Sequence, residues 1–338
     1  MSQRRLPPRR LLAALVCVVA LVAGCSGGDD DEATPRPAGP TTTAPPNTYP
    51  LSGRPIDDPA KASRSALSVK IDNNSASRPQ AGLDKADVLY EEFTEGITRF
   101  IVVFHSTDAD PVGPVRSIRP ADPVIIFPLT GAFVFSGGSP AIRALVPPGI
   151  FTVVDENSTD VLRRRAGRTA PHNLYTTTQG LLAKAAAPKP PPPLAEFVAP
   201  GAPFGGAGAV PATKVTLPAA PGVSAGYDWD AAAGAWKRST DGRPHALEGG
   251  AQLAPNNVIV QFTPYSRFSG DSKVQYPEVI GTGEAWFFAG GQLVKGRWSK
   301  AGPGEVTKFT DSAGAPIKLT PGQTLVHLIE PGSTVTTA

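Results

Sequence analysis

The sequence predicts an α+β protein: a mixed α/β N-terminal domain followed by a smaller, mostly antiparallel β domain. Three observations predict it. Short β-branched strands alternate with short helix signals between residues 66 and 182. An Ala/Pro/Gly-rich stretch then interrupts the pattern over 183–222, with four consecutive prolines from Pro190 to Pro193. Beyond it, alternating or β-branched runs recur to residue 329 with glycine turns such as Gly290-Gly291 between them.

The size fits two domains. With 338 residues, 41% hydrophobic and 18% charged, the chain can bury a substantial core, and a domain typically uses roughly 100 to 200 residues. The expected organisation is a signal peptide over 1–24, a disordered tether over 25–50, an α/β domain over 51–182, a linker or insertion over 183–222, a β-rich domain over 223–331 and a tail over 332–338.

The elements follow in chain order. Residues 1–24 hold Arg4, Arg5, Arg9 and Arg10, no acidic residue, and an apolar run over 11–22 that is short for a membrane span and ends in Val22-Ala23-Gly24-Cys25. This resembles a bacterial lipoprotein signal peptide. The resemblance implies cleavage after Gly24, a diacylglyceryl thioether on Cys25, and residence on the outer face of the bacterial cell membrane. Cys17 would leave with the signal and Cys25 would be lipidated, so neither would remain for a disulfide, a thiol nucleophile or a thiolate metal site. Without the four signal arginines the formal charge falls from +3 to −1, so the pI of about 8.8 gives no support to a nucleic-acid partner. Residues 27–50 are too poor in apolar side chains to fold.

In the first domain, 66–71, 88–93, 97–104, 132–135 and 150–154 read as strands. A short helical turn is expected near 83–86, a helix over 141–145 with Ser139 as N-cap and Pro140 in its first turn, and another from Ser158 through Arg165. In the second domain, strands are expected over 223–229, 235–239, 258–262, 274–280, 284–288, 292–298, 306–310 and 324–329.

The chemistry is densest over 90–119. Arg99, Arg116 and Arg119 lie at or beyond the ends of an apolar strand, and a guanidinium fork suits bidentate capture of phosphate or carboxylate. The backbone N–H groups of Gly137 and Gly138 and the hydroxyls of Ser136 and Ser139 would complete an anion site. Glu91, Glu92 and Glu95 are near enough in sequence to neutralise the same arginines, and buried charge survives mainly when paired. A mixture of structural pairs and one free arginine is the expectation. A serine hydrolase is disfavoured because Pro140 leaves no N–H after Ser139, and Ser136 near His105 or His172 matches no motif. Glu91 or Glu92 with Glu95 or Asp122 could serve as a glycosidase acid and base, but adjacent carboxylates are common on solvated strands. The scattered His105, His172, His245 and His327 have no ligand spacing, so neither a metal nor a cofactor is expected. Arg163-Arg164-Arg165 with Arg168 read as a solvated helix face.

Several segments carry a wider resemblance. Asp87-Val88-Leu89-Tyr90-Glu91-Glu92, Glu95-Gly96-Ile97-Thr98-Arg99-Phe100, Gly113-Pro114-Val115-Arg116-Ser117 with Arg119, Ser136-Gly137-Gly138-Ser139-Pro140 and Pro171-His172-Asn173-Leu174-Tyr175 resemble the YerB-like lipoprotein family. So do Gly281-Thr282-Gly283, Trp298-Ser299-Lys300 and Leu319-Thr320-Pro321-Gly322, in the same order. The resemblance implies a two-domain bacterial surface lipoprotein with no assigned reaction; the Ala/Pro-rich insertion over 188–211 departs from the family pattern. The function expected is binding or assembly, with an anionic envelope polymer or a protein as partner and the membrane reached through lipid on Cys25. The alternative is an envelope hydrolase or transferase on glycan or phosphodiester substrates using the Glu and Arg groups of 90–119.

Overall fold

The computed structural model describes residues 47–185 and 188–338; the expected signal peptide, Cys25 and the tether up to residue 46 lie outside the described residues. Strands far outnumber helices. Ordered packing starts early: Tyr49 is buried and its hydroxyl donates to Asp57 at 2.6 Å.

One large mixed sheet runs through both halves of the chain. The N-terminal half supplies β1 (Leu67–Asp72), β2 (Val88–Thr94), β3 (Ile97–Phe104), β4 (Ala132–Val134) and β5 (Thr152–Val154). The C-terminal half supplies Asn257–Phe262, Gly281–Ala289, Gln292–Lys300, Lys308–Asp311 and Thr324–Ile329. The halves join where β2 pairs in parallel with Thr324–Ile329, Val88 opposite Thr324 and Glu92 opposite Leu328. Elsewhere β2–β3 and β3–β1 are antiparallel, and β1–β4 and β4–β5 are parallel. The C-terminal strands pair antiparallel except Asn257–Phe262 with Thr324–Ile329.

Both faces of this sheet are covered, which is why β3 reads as a nearly unbroken apolar run instead of alternating. One face, with Val69, Leu89, Phe100 and Val102, packs on a five-stranded sheet that includes Lys214–Ala220, Val223–Asp230 and Ala235–Thr240 and contributes Val215, Tyr227 and Trp236. The other face, with Val88, Ile101, Val103 and Phe133, is covered by the 121–129 helical segment and by Leu194, Phe204 and Leu319. Each fully buried Val, Leu or Phe side chain contributes about 1.5–3 kcal/mol. The stretch over 183–222 therefore holds part of the core: Leu194 and Phe204 are buried, and Lys214–Ala220 is an interior strand of the second sheet, paired on both sides.

Two local expectations meet the structure differently. Ser139 does cap a short helix, Pro140–Arg143, its hydroxyl accepting from Ile142 N–H. The helix expected from Ser158 through Arg165 is absent. The chain turns at 155–162, and Arg163–Arg164 instead form a two-residue strand antiparallel to Leu174–Tyr175. Tertiary pairing overrides a weak local helix signal here. Arg163, Arg164 and Arg165 are accordingly not a helix face.

Candidate functional site

Seven strands of the large sheet point the same way, so the carboxyl ends of β1, β2, β4 and β5 share one edge with those of Asn257–Phe262, Gln292–Lys300 and Thr324–Ile329. In sheets with parallel strands, ligands characteristically bind outside that edge, where neighbouring strands diverge. Here β1 and β4 part. They pair from Leu67 opposite Ala132 to Val69 opposite Val134, and beyond that point the segment 113–118 lies between them. Arg116 N–H donates to the Lys70 carbonyl (2.8 Å) and Asp72 N–H to the Pro114 carbonyl (3.0 Å). On the other side, Ser136 N–H donates to the Arg116 carbonyl (2.9 Å) and Ile118 N–H to the Gly137 carbonyl (3.3 Å). This wedge delivers Arg116 and Arg119 to the edge.

A charged cluster gathers there on one face. Cross-strand register sets Glu92, Arg99 and Asp72 in a row across β2, β3 and β1. Lys70 Nζ, fully buried, donates to Glu92 Oε1 at 2.5 Å and Asp122 Oδ1 at 2.7 Å. Burial pushes the Glu92 carboxyl above the ordinary carboxylate range; Lys70 opposes the shift and Asp122 adds to it. Arg99 and Arg119 both reach one oxygen of Glu95, Oε2, the Arg99 contact being 2.9 Å. Arg99 also donates to the Ser117 carbonyl at 3.1 Å. Its guanidinium is lowered to about 10, first by burial and then by the neighbouring Arg119, with Arg116 adding to it. Asp72 Oδ2 lies 2.6 Å from His172 Nδ1 and 3.2 Å from Arg116 Nε.

Donors exceed well-placed acceptors in this cluster. Among the described residues, the Nε–H groups of Arg99, Arg116 and Arg119 are all buried without a hydrogen-bond partner in the protein, as is Glu92 Oε2. Arg116 Nε is within ion-pair distance of Asp72 but not aligned for a hydrogen bond. The remaining nitrogens of Arg116 have no partner among the described residues, and its side chain is 24% exposed. Buried polar groups are nearly always satisfied, so three orphaned guanidinium N–H groups in one cluster mark a place for an acceptor.

Glu91, one residue before Glu92, points to the opposite face. Arg238 Nη2 donates to both of its oxygens at 3.0 and 2.9 Å, and Thr98 and Asn73 donate to it at 2.7 and 3.0 Å. Burial would raise its carboxyl, but Arg238 and His327 outweigh that and hold it low. Tyr227 Oη lies 2.6 Å from His327 Nε2, whose Nδ1 lies 3.2 Å from Glu91. Hydroxyl, imidazole and carboxylate thus stand in a relay order, yet all three residues are buried and no reactant reaches them. Burial holds His327 down to about 4 and His245 down to about 2. His245 accepts from Arg238 at 2.7 Å through Nδ1 and faces Gln80 Oε1 at 3.0 Å through Nε2. Outside this network a cleft of about 890 Å³ opens between Ser75, Arg78 and Pro79 on one side and residues 240–250 on the other.

The 136–139 turn sits beside the wedge, but its donors are largely engaged. Gly137 N–H donates to Glu156 Oε2 at 2.9 Å, Ser136 Oγ to the Val115 carbonyl at 3.1 Å, and Ser139 caps its helix. Gly138, at φ +131°, must be glycine: a Cβ there would lie 2.5 Å from Ile118 Cγ2. The structure thus brings Arg99, Arg116, Arg119, Glu92 and Glu95 together, sets Glu91 on the far face, and places Ser136 to Ser139 alongside as scaffold. The sequence did not reveal Asp72 as the partner of Arg116, or Lys70 as the shared partner of Glu92 and Asp122. A lysine in the otherwise apolar run Leu67-Ser68-Val69-Lys70-Ile71 was the available signal.

Comparison with known proteins agrees with this architecture. The family described as "Protein of unknown function (DUF3048)" matches by its N-terminal domain over residues 51–190 and by its C-terminal domain over residues 215–326. A protein of Bacillus subtilis (strain 168) named "Putative lipoprotein YerB" is 34% identical over 117 residues, which is 34% of this chain and 35% of that protein. The match thus spans about a third of that relative's length. A crystal structure of YerB protein from Bacillus subtilis superposes with a TM-score of 0.73 at 22% identity, covering 86% of this chain and 99% of that one, and shows the same fold. The chain belongs to the DUF3048 family, the YerB-like proteins.

Proposed function

We propose that this protein is a lipid-anchored, extracytoplasmic binding or assembly factor that reads an anionic group on an envelope component or partner protein. The observation that carries the reading is the shortage of acceptors around Arg99, Arg116 and Arg119 at the carboxyl edge of the sheet. An anion there would satisfy donors that the fold itself leaves unmet. The anchor rests on the lipoprotein-like N-terminus ending at Cys25 and on the printed name of the Bacillus subtilis relative. Among the described residues no helix is long and apolar enough to cross a membrane. The acid–base reading, Glu91 or Glu92 with Glu95 or Asp122, gains no support, because Glu91 is buried against Arg238 on the far face and Glu92 and Asp122 are both buried against Lys70.

Calorimetric titration of the full-length chain in detergent with anionic envelope fractions tests the site. Arg116→Ala should weaken binding about tenfold or more, since hydrogen bonds to charged groups contribute about 1.5–3 kcal/mol. Binding retained in Arg116→Ala combined with Arg119→Ala would sink the site. Labelled lipid incorporation surviving in Cys25→Ala would sink the anchor.

A further inference from the structure

The way Glu95 fills the arginine cluster says more about the ligand. Glu95 and Gly96 form the two-residue turn between β2 and β3, with φ +50° and +81°. A turn with two positive φ values suits Asn-Gly or Gly-Gly, and a glutamate at its first position is strained. Its side chain is 35% exposed, against 4% for Arg99 and 6% for Arg119, so it closes the cluster from the solvent side. It fills the place poorly. A single oxygen, Oε2, serves both arginines, while three Nε–H groups stay unsatisfied. A carboxylate has two oxygens; a phosphoryl group presents three or four, enough to accept from three guanidinium groups converging from β3 and the wedge.

Resting on the anion-binding reading, we propose that Glu95 is a built-in stand-in for a phosphate-ester group, which enters between Arg99, Arg116 and Arg119 by displacing the Glu95 side chain outward. Glu95 then sets the affinity: it lowers the electrostatic cost of holding the arginines together in the empty site and competes with the ligand for them. The wild-type protein binds phosphate esters weakly and releases them readily. The class is a phosphate ester whatever its source, a wall polymer or a lipid headgroup.

The test compares wild type, Glu95→Gln, Arg116→Ala and Glu95→Gln/Arg116→Ala as full-length chains in detergent, titrated with inorganic phosphate, glycerol 3-phosphate and acetate. Circular dichroism and thermal melting with and without phosphate check that each variant folds. Glu95→Gln should bind both phosphates about tenfold more tightly than wild type and gain more melting temperature from added phosphate. Adding Arg116→Ala should reverse the gain. Unchanged or weaker phosphate binding by folded Glu95→Gln, with Arg116→Ala alone still weakening anion binding, would overturn the stand-in and leave the anion site standing. Acetate binding as tightly as phosphate would overturn the phosphate class. No binding of any anion by folded wild type or Glu95→Gln would overturn both. Tighter binding of Glu95→Gln to soluble polyglycerol phosphate, or to phosphatidylglycerol vesicles, supports the proposal and names the source.

Discussion

Charged side chains at this sheet edge divide by face, and the division sets what each substitution does. Glu91 and Arg238 form a sealed pair, each fully buried. Removing one partner strands the other, which typically costs about 3–5 kcal/mol, whereas replacing both with apolar residues of similar volume is much milder. Arg238→Met should therefore lower urea-unfolding stability severely, and Glu91→Leu combined with Arg238→Met should recover much of the loss. Arg116 is different. It is partly exposed and has one unaligned ion contact, so Arg116→Ala should change stability by no more than about 1 kcal/mol while weakening ligand binding about tenfold or more. The buried histidines add a pH dependence. Folding holds His245 at about 2 and His327 at about 4, below the ordinary 6.5. Their stabilisation is complete above pH 6.5 and is lost as pH falls, because the unfolded chain takes up protons first. Glu92, raised above 4.5, works in the opposite direction as pH rises. Burial lowers His105 as well, and three histidines outweigh one carboxyl, so stability should rise from pH 5 to 6.5, each net proton contributing about 1.4 kcal/mol per pH unit. A flat or falling profile would show that the histidines are not held neutral.

At the scale of elements, the sequence displayed the strands well and their neighbours poorly. The β2 and β3 strands and the Ser139 cap were legible because each depends on local patterning or capping chemistry. The wedge of 113–118 was not. It has no strand pattern, and its place between β1 and β4 comes from backbone bonds to residues about 45 positions before it and 20 after it. The same limit explains the absent 158–165 helix and the core strand Lys214–Ala220 within an Ala/Pro-rich stretch. It also explains the site: the three arginines could be named from sequence, but that Glu95 would bridge two of them, and that Lys70 would bridge Glu92 and Asp122, depended on register. Amide hydrogen exchange gives the element-scale test. Thr324–Ile329 and its partner β2, at the centre of the sheet, should exchange only through global unfolding, while exposed amides near Gly201 and Gly205 exchange rapidly.

At the scale of the whole molecule, the two family domains are not two separate cores. The β2 to Thr324–Ile329 pairing makes one sheet of both halves, and apolar residues of both halves share each of its faces. Denaturant unfolding of the described part should therefore be a single cooperative transition, and a fragment ending near residue 211 should not reach the native state, because β2 would be left as an unpaired apolar edge. Two separated transitions, or a well-folded N-terminal fragment, would contradict this. The shared sheet has a functional consequence as well: β2, which carries the Glu95 turn, is held from the C-terminal half, so the geometry of the arginine site depends on both domains. The most direct test of that site is nuclear magnetic resonance of the arginine Nε–H groups during titration with inorganic phosphate. The Nε–H signals of Arg99, Arg116 and Arg119 should shift together and their exchange with solvent should slow, with the response lost in Arg116→Ala. Three Nε–H signals that stay unmoved at saturating phosphate, in wild type and in Glu95→Gln alike, would contradict it.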